Sequence, residues 1–118
     1  MNIEELREYC LSKKGVTEGF PFNETALVFK VEGKMFCLTD LEGAFSVSLK
    51  NHPWKNIELR EIYNAISPAY HMNKQHWNTV EINGSIPEHL LRQLIDESYR
   101  IVVEKLPVKK QNELKSRD

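Results

Sequence analysis

The chain has 118 residues, 41% hydrophobic and 28% charged, which suits one domain with its own core, is too short for two, and lies outside the range of disordered chains. Sixteen Lys and Arg stand against seventeen Asp and Glu, a formal net charge of -1, so no global field draws the protein to nucleic acid or an anionic membrane, and any DNA binding must rest on a local patch. Cys10 and Cys37 lack C-x-x-C spacing, which argues against a disulfide framework or thiolate zinc site and for a reducing cytoplasm.

Residues 1–9 are acidic and amphipathic rather than basic and then apolar, so neither a signal peptide nor a membrane partner is expected. Asn2 and Glu5 have capping-box spacing for a first helix, with Ile3, Leu6 and Cys10 on one face and Gly15 placed to close it. Leu27, Phe29 and Val31 then alternate along a strand from Thr25, and Glu32-Gly33 turns the chain into a second strand, Lys34 to Thr39. A simple two-residue turn pairs Phe29 with Phe36 and Leu27 with Leu38. That register puts these four on the core face and leaves Lys30, Met35, Cys37 and Thr39 on the other.

Phe45, Val47 and Leu49 alternate with Ser46, Ser48 and Lys50, a half-buried strand whose serines face water. Pro53 suits the first turn of a short helix to about Tyr63, with Leu59, Ile62 and Ile66 available for the core, and Pro68 bars its continuation. Asn78 to Ile82 reads as another strand, Asn83-Gly84 as a turn, and Ser85 with Glu88 as a second capping box. Leu90, Leu91, Leu94, Ile95, Ser98, Ile101 and Val102 then keep helical spacing until Pro107. The expected fold class is α+β: an antiparallel sheet with the N- and C-terminal helices packed on one face, residues 1–107 forming one domain and 108–118 a polar tail, a frayed helix or disordered.

The chemistry concentrates in Ala69 to Val80, where two of the four histidines and one of the two tryptophans share a short connection. A connection usually needs only small or turn-forming residues, so large amphipathic ones suggest a buried polar network or a binding surface. His71 and His76 are five apart, which splays them in a strand or helix, and their neighbours Asn73, Lys74 and Gln75 supply no third metal ligand. Cys10 reads as a helix core residue, no serine sits on a nucleophile elbow, and the dispersed glycines form no phosphate loop. No catalytic residue, metal site or cofactor is therefore assigned. Lys30, Lys50 and Lys74 can share the outer sheet face with Trp77, a mixture able to hold phosphates and stack on bases, or simply to be solvated. The run Lys105, Lys109, Lys110, Lys115 and Arg117 is a second basic patch with a solubilising alternative.

Gly15-Val16-Thr17-Glu18 before Phe20-Pro21-Phe22, Val28-Phe29-Lys30-Val31 with Gly33-Lys34-Met35-Phe36, and Tyr70-His71-Met72-Asn73-Lys74 with His76-Trp77 together resemble the MmcQ/YjbR family over nearly the whole chain. The resemblance implies a CyaY-like, or frataxin-like, α+β fold and DNA binding by a double-wing arrangement of strands, with no catalytic residues to carry over. Its signature falls on His71, Asn73, Lys74, His76 and Trp77, with Gln75 where a cation is expected. Frataxin-like iron binding is not implied, because Arg7 interrupts Glu4, Glu5 and Glu8. The expectation is a monomeric, cytoplasmic, non-enzymatic module that binds DNA weakly and with little sequence preference through Lys30, Lys50, His71, Asn73, Lys74, His76 and Trp77. Two alternatives stand beside it: a small-molecule or enzymatic pocket lined by His71, Asn73, His76 and Trp77, and a protein-interaction module using the bare sheet face. The direction of His71 and Trp77 separates them, and His71 is expected to lie in a segment pinned by hydrogen bonds, with Lys74 at the turn.

Overall fold

Asn2 Oδ1 accepts the Glu5 N–H at 2.8 Å while Glu5 Oε1 accepts the Asn2 N–H at 3.2 Å, so a capping box starts α1 (Ile3–Leu11). A computed structural model describes residues 1–117, and Asp118, the last residue of the expected tail, lies outside the described residues. Helix α1 ends at Ser12, and Gly15, at φ 73°, makes the turn into β1 (Val16–Gly19) rather than closing the helix. β2 (Ala26–Val31), β3 (Lys34–Asp40), β4 (Ser46–Lys50), α2 (Pro53–Ile62), β5 (Ile66–Pro68), β6 (Trp77–Glu81), α3 (Glu88–Glu104) and α4 (Val108–Lys115) follow. The six strands form one antiparallel sheet in the order β1-β2-β3-β4-β6-β5. The edge strands β1 and β5 are too short to show an alternation in the sequence.

The β2–β3 hairpin departs from the simple register. Glu32 and Gly33 both have positive φ, as a type I′ turn requires, and Val31 pairs with Lys34 and Lys30 with Met35. A bulge follows, so Phe29 pairs with Cys37, Val28 with Leu38 and Leu27 with Thr39. One extra residue in β3 reverses the faces of those after it. Phe36, Cys37 and Thr39 are therefore fully buried, and Leu38, expected in the core, lies half-buried on the opposite face.

The bulge also interrupts the ladder to β4, which pairs only at Cys37–Leu49 and Leu38–Ser48. Ser98 of α3 fills the gap: its Oγ accepts the Lys50 N–H at 2.8 Å and donates to the Phe36 carbonyl. The core lies between this face and the helices, with Leu6 and Cys10 from α1, Leu59 from α2, and Leu91, Leu94, Ile95 and Val102 from α3 over Phe29, Val47 and Val80. Ile66 is buried in β5, but Ile62 is 60% exposed and serves no core.

Helix α3 starts after Pro87 without a side-chain cap. The expected Ser85–Glu88 capping box does not form because each residue has another partner. Ser85 N and Oγ bond to Asn83 Oδ1, and Glu88 meets the N-terminal ammonium at 3.3 Å and Arg92 at 3.4 Å. The N-terminal ammonium and then Arg92 hold the Glu88 carboxyl below its ordinary range. Of the two alternatives for the tail, residues 108–115 take the helix, and it is tied down: Leu114 is buried in the core, over the space a Gly15 side chain would need, and Lys110 and Arg117 pair with Glu32 at 3.7 and 3.0 Å. Among the described residues, no helix is long and apolar enough to cross a membrane.

Candidate functional site

With α1 and α3 on one face, the other face of the sheet carries a cavity of about 630 Å³. Its floor is Ala26 of β2, Met35, Leu38 and Asp40 of β3, Ser46 and Ser48 of β4, and Trp77 and Thr79 of β6. Phe22 and Asn23 from the β1–β2 loop and Ala69 to Asn73 from the β5–β6 loop complete the lining. Small and hydroxylated side chains on β4 and β6 leave this space. Ser48 Oγ and Thr79 Oγ1 lie 3.2 Å apart across the β4–β6 pairing, and Ser48 is buried, so the β4 serines form a cavity floor rather than a solvated face.

Both loops are fixed through their backbones. Asn23 Oδ1 accepts the N–H groups of Thr25 and Ala26 at 2.9 and 2.7 Å. In the β5–β6 loop, the Asn73 carbonyl accepts from His76 and Trp77, Asn73 Oδ1 accepts from Gln75 at 3.0 Å, and Ala69 N–H donates to Trp77 O. α2 grips that loop from the core side. Asn56 Nδ2 donates to the Gln75 and Asn51 carbonyls at 3.0 and 3.2 Å, and Arg60 donates to the Lys74 carbonyl and to Asn78 Oδ1, each at 2.8 Å. Asn78 Nδ2 returns a bond to the Asn56 carbonyl at 3.2 Å. A buried network of this kind gives a loop one conformation.

Of the seven candidate residues, the cavity brings together His71, Asn73 and Trp77. Trp77 is buried and the other two are exposed. Hydrogen bonds hold the segment around His71 through its backbone and Asn73, and none from the imidazole is present among the described residues. Lys74 is exposed with Nζ 5.2 Å from the Tyr70 ring centroid. His76 is half-buried and ties its backbone to Asn51 and Asn73, outside the lining. Lys30 borders a separate shallow depression with Glu18, Phe20 and Pro21. Lys50 sits at the end of β4, its pKa lowered first by burial and then by the charge of Lys105. By register Lys30 stands opposite Met35 and Lys50 opposite Trp77, both lining residues, while among the described residues the lining itself contains no Lys or Arg and one carboxylate, Asp40.

Sequence reasoning missed Phe22, Asn23, Asp40, Tyr70 and Met72 as lining, and Asn56 and Arg60 as the loop's supports. Asn23, two residues before Thr25, is an Asx-turn signal that marks a fixed loop. The small hydroxyl residues at 46, 48 and 79 mark the open floor. Asn56 and Arg60 sit among the polar positions of a helix, and nothing local tells them from solvated ones.

A family model named YjbR matches residues 11–101, a span that includes every residue lining the cavity. The "Uncharacterized protein YjbR" of Escherichia coli K12 is 36% identical over 111 residues, covering 93% of this chain and 94% of that one. The "Uncharacterized protein YbdF" of Escherichia coli O157:H7 is 40% identical over 97 residues, covering 81% and 80%. Among solved structures, the Deinococcus radiodurans protein DR2400, domain DUF419, superposes with a TM-score of 0.92 at 36% identity, over 99% of this chain and 90% of that one. A Pseudomonas syringae protein superposes with a TM-score of 0.73 at 28% identity, over 86% and 98%.

Proposed function

This chain belongs to the YjbR family, and from that premise and the open sheet face we propose that it is a binding module for small molecules, taken up in the cavity over β3, β4 and β6. The carrying observation is the lining itself: aromatic and thioether side chains around a few fixed polar groups, one carboxylate, and no Lys or Arg. Pockets for small ligands have this composition and a volume of about 300–1,000 Å³. A phosphate-binding groove needs cations at its walls. The DNA reading draws on Lys30, Lys50 and Lys74, none of which is among the residues lining the cavity.

The test uses the Trp54→Phe variant, which leaves Trp77 as the sole tryptophan. Trp77 emission is followed while neutral aromatic and heteroaromatic fragments, and separately a short DNA duplex at low salt, are titrated in. The expected result is saturable change with fragments and none with DNA. Saturable, salt-sensitive DNA binding with no fragment response would return the DNA reading to first place.

A further inference from the structure

The hydrogen bonds already made around the cavity fix which donors and acceptors remain, and that set narrows the ligand. Only an oxygen can accept the backbone N–H groups that Asn23 and Asn73 hold, so both amides are fixed with Oδ1 occupied and Nδ2 without a partner among the described residues. Each loop therefore offers a donor. Asp40 Oδ1 accepts the Glu42 N–H at 2.9 Å, which leaves Oδ2 as an acceptor. Ser48 and Thr79 share one hydrogen bond between two hydroxyls, so one proton and several lone pairs remain at the floor. Around these atoms stand Phe22 and Tyr70, one from each loop, 66% and 71% exposed, flat surfaces suited to stacking, with the Lys74 ammonium over one face of Tyr70.

Resting on the small-molecule reading above, we infer that the cavity takes a planar, uncharged nitrogen heterocycle with adjacent carbonyl and N–H groups, of the nucleobase or pterin type, without phosphate. Ring carbonyls and ring nitrogens meet the amide donors of the loops, a ring N–H meets Asp40, and the faces stack on the exposed aromatic rings. A purely apolar aromatic leaves the amides, hydroxyls and Asp40 desolvated and unpaired, the situation that polar sites reject most strongly. A phosphorylated ligand brings its charge toward Asp40 with no cation in the lining to offset it. A sugar is the competing ligand for amides, hydroxyls and one carboxylate beside aromatic rings, and a sugar probe separates the two classes.

The experiment is a set of titrations of the ¹⁵N-labelled full chain, read at the Trp77 indole N–H and the backbone amides of Ser48, Asn73 and Thr79. The probes are guanosine, lumazine, guanosine 5′-monophosphate, indole and maltose. Guanosine or lumazine is expected to shift these signals saturably, with the monophosphate weaker than guanosine. Asp40→Asn keeps the acceptor for Glu42 and turns the free acceptor into a donor, and should weaken lactam binding by about tenfold or more, the loss typical of a hydrogen bond to an ionised carboxylate. Arg100→Ala, on the solvent side of α3 and across the sheet from the lining, should leave it unchanged, and the spectrum of each variant reports whether it is folded. If indole or maltose binds as well as the lactams, or the monophosphate binds best, or Asp40→Asn changes nothing, this ligand class is wrong and the cavity reading stands. If no probe moves the cavity signals, both fall.

Discussion

On the helix-covered face, the sheet presents Phe29, Val31, Phe36, Cys37, Val47 and Val80, none more than 2% exposed. On the open face the same strands present Ala26, Met35, Leu38, Ser46, Ser48 and Thr79. The closed face is built of volume, large apolar groups that interdigitate with Leu6, Leu94 and Ile95. The open face sets short side chains and hydroxyls, Ala26, Ser46, Ser48 and Thr79, among Met35, Leu38 and Trp77. A purely solvated surface is dominated by long charged residues and a core awaiting a cover by branched aliphatics, and the lining is dominated by neither. A concave floor that is neither is what a ligand requires, and the two faces should answer mutation differently.

The largest expected contrast is between Phe29→Ala and Leu38→Ala. Phe29 is fully buried beneath the helices, and its truncation should cost about 3–5 kcal/mol, whereas half-buried Leu38 at the cavity floor should cost about 1–2 kcal/mol. Urea denaturation of both variants measures the difference. Equal losses would mean that the open face carries as much of the fold as the closed one.

That pair also shows what the sequence disclosed. The capping box at Asn2, the helix after Pro53 and the long apolar stripe of α3 were legible because each depends on nearest neighbours or a fixed period. Phe29 in the core followed from alternation. Leu38 did not, because the bulge at Phe36 is set by the pairing between strands and by Ser98, a residue some sixty positions away in the chain whose hydroxyl joins the Phe36 carbonyl to the Lys50 N–H. The same holds for the site. His71, Asn73 and Trp77 stood out by composition, whereas Asp40 entered the cavity through strand register and Asn56 and Arg60 support the loop through contacts made only on folding.

An intermediate effect should follow from Ser98→Ala. The variant strips a partner from two buried backbone groups, and the orphaned Phe36 carbonyl and Lys50 N–H should cost about 1–3 kcal/mol together. Hydrogen exchange at the Lys50 amide should accelerate more than exchange in the middle of β2. If it does not, the bulge is held by packing, and the closed face is more independent of α3 than its geometry indicates.

The smallest expected effects lie on the rim of the open face. The sequence places His71 in a pinned segment and so predicts that His71→Ala costs more stability than Lys74→Ala. The structure moves the pinning elsewhere: the Gln75 and Lys74 carbonyls carry the bonds from Asn56 and Arg60, and the side chains of His71 and Lys74 are both exposed. Truncating an exposed side chain outside such a network changes stability by less than about 0.5 kcal/mol, so both variants should melt within error of the parent. They should separate only in binding. His71 lines the cavity and Lys74 does not, so fragment affinity read at Trp77 should fall for His71→Ala and hold for Lys74→Ala. A clear drop in melting temperature for His71→Ala alone would return that imidazole to the fold and leave the cavity without one of its polar walls.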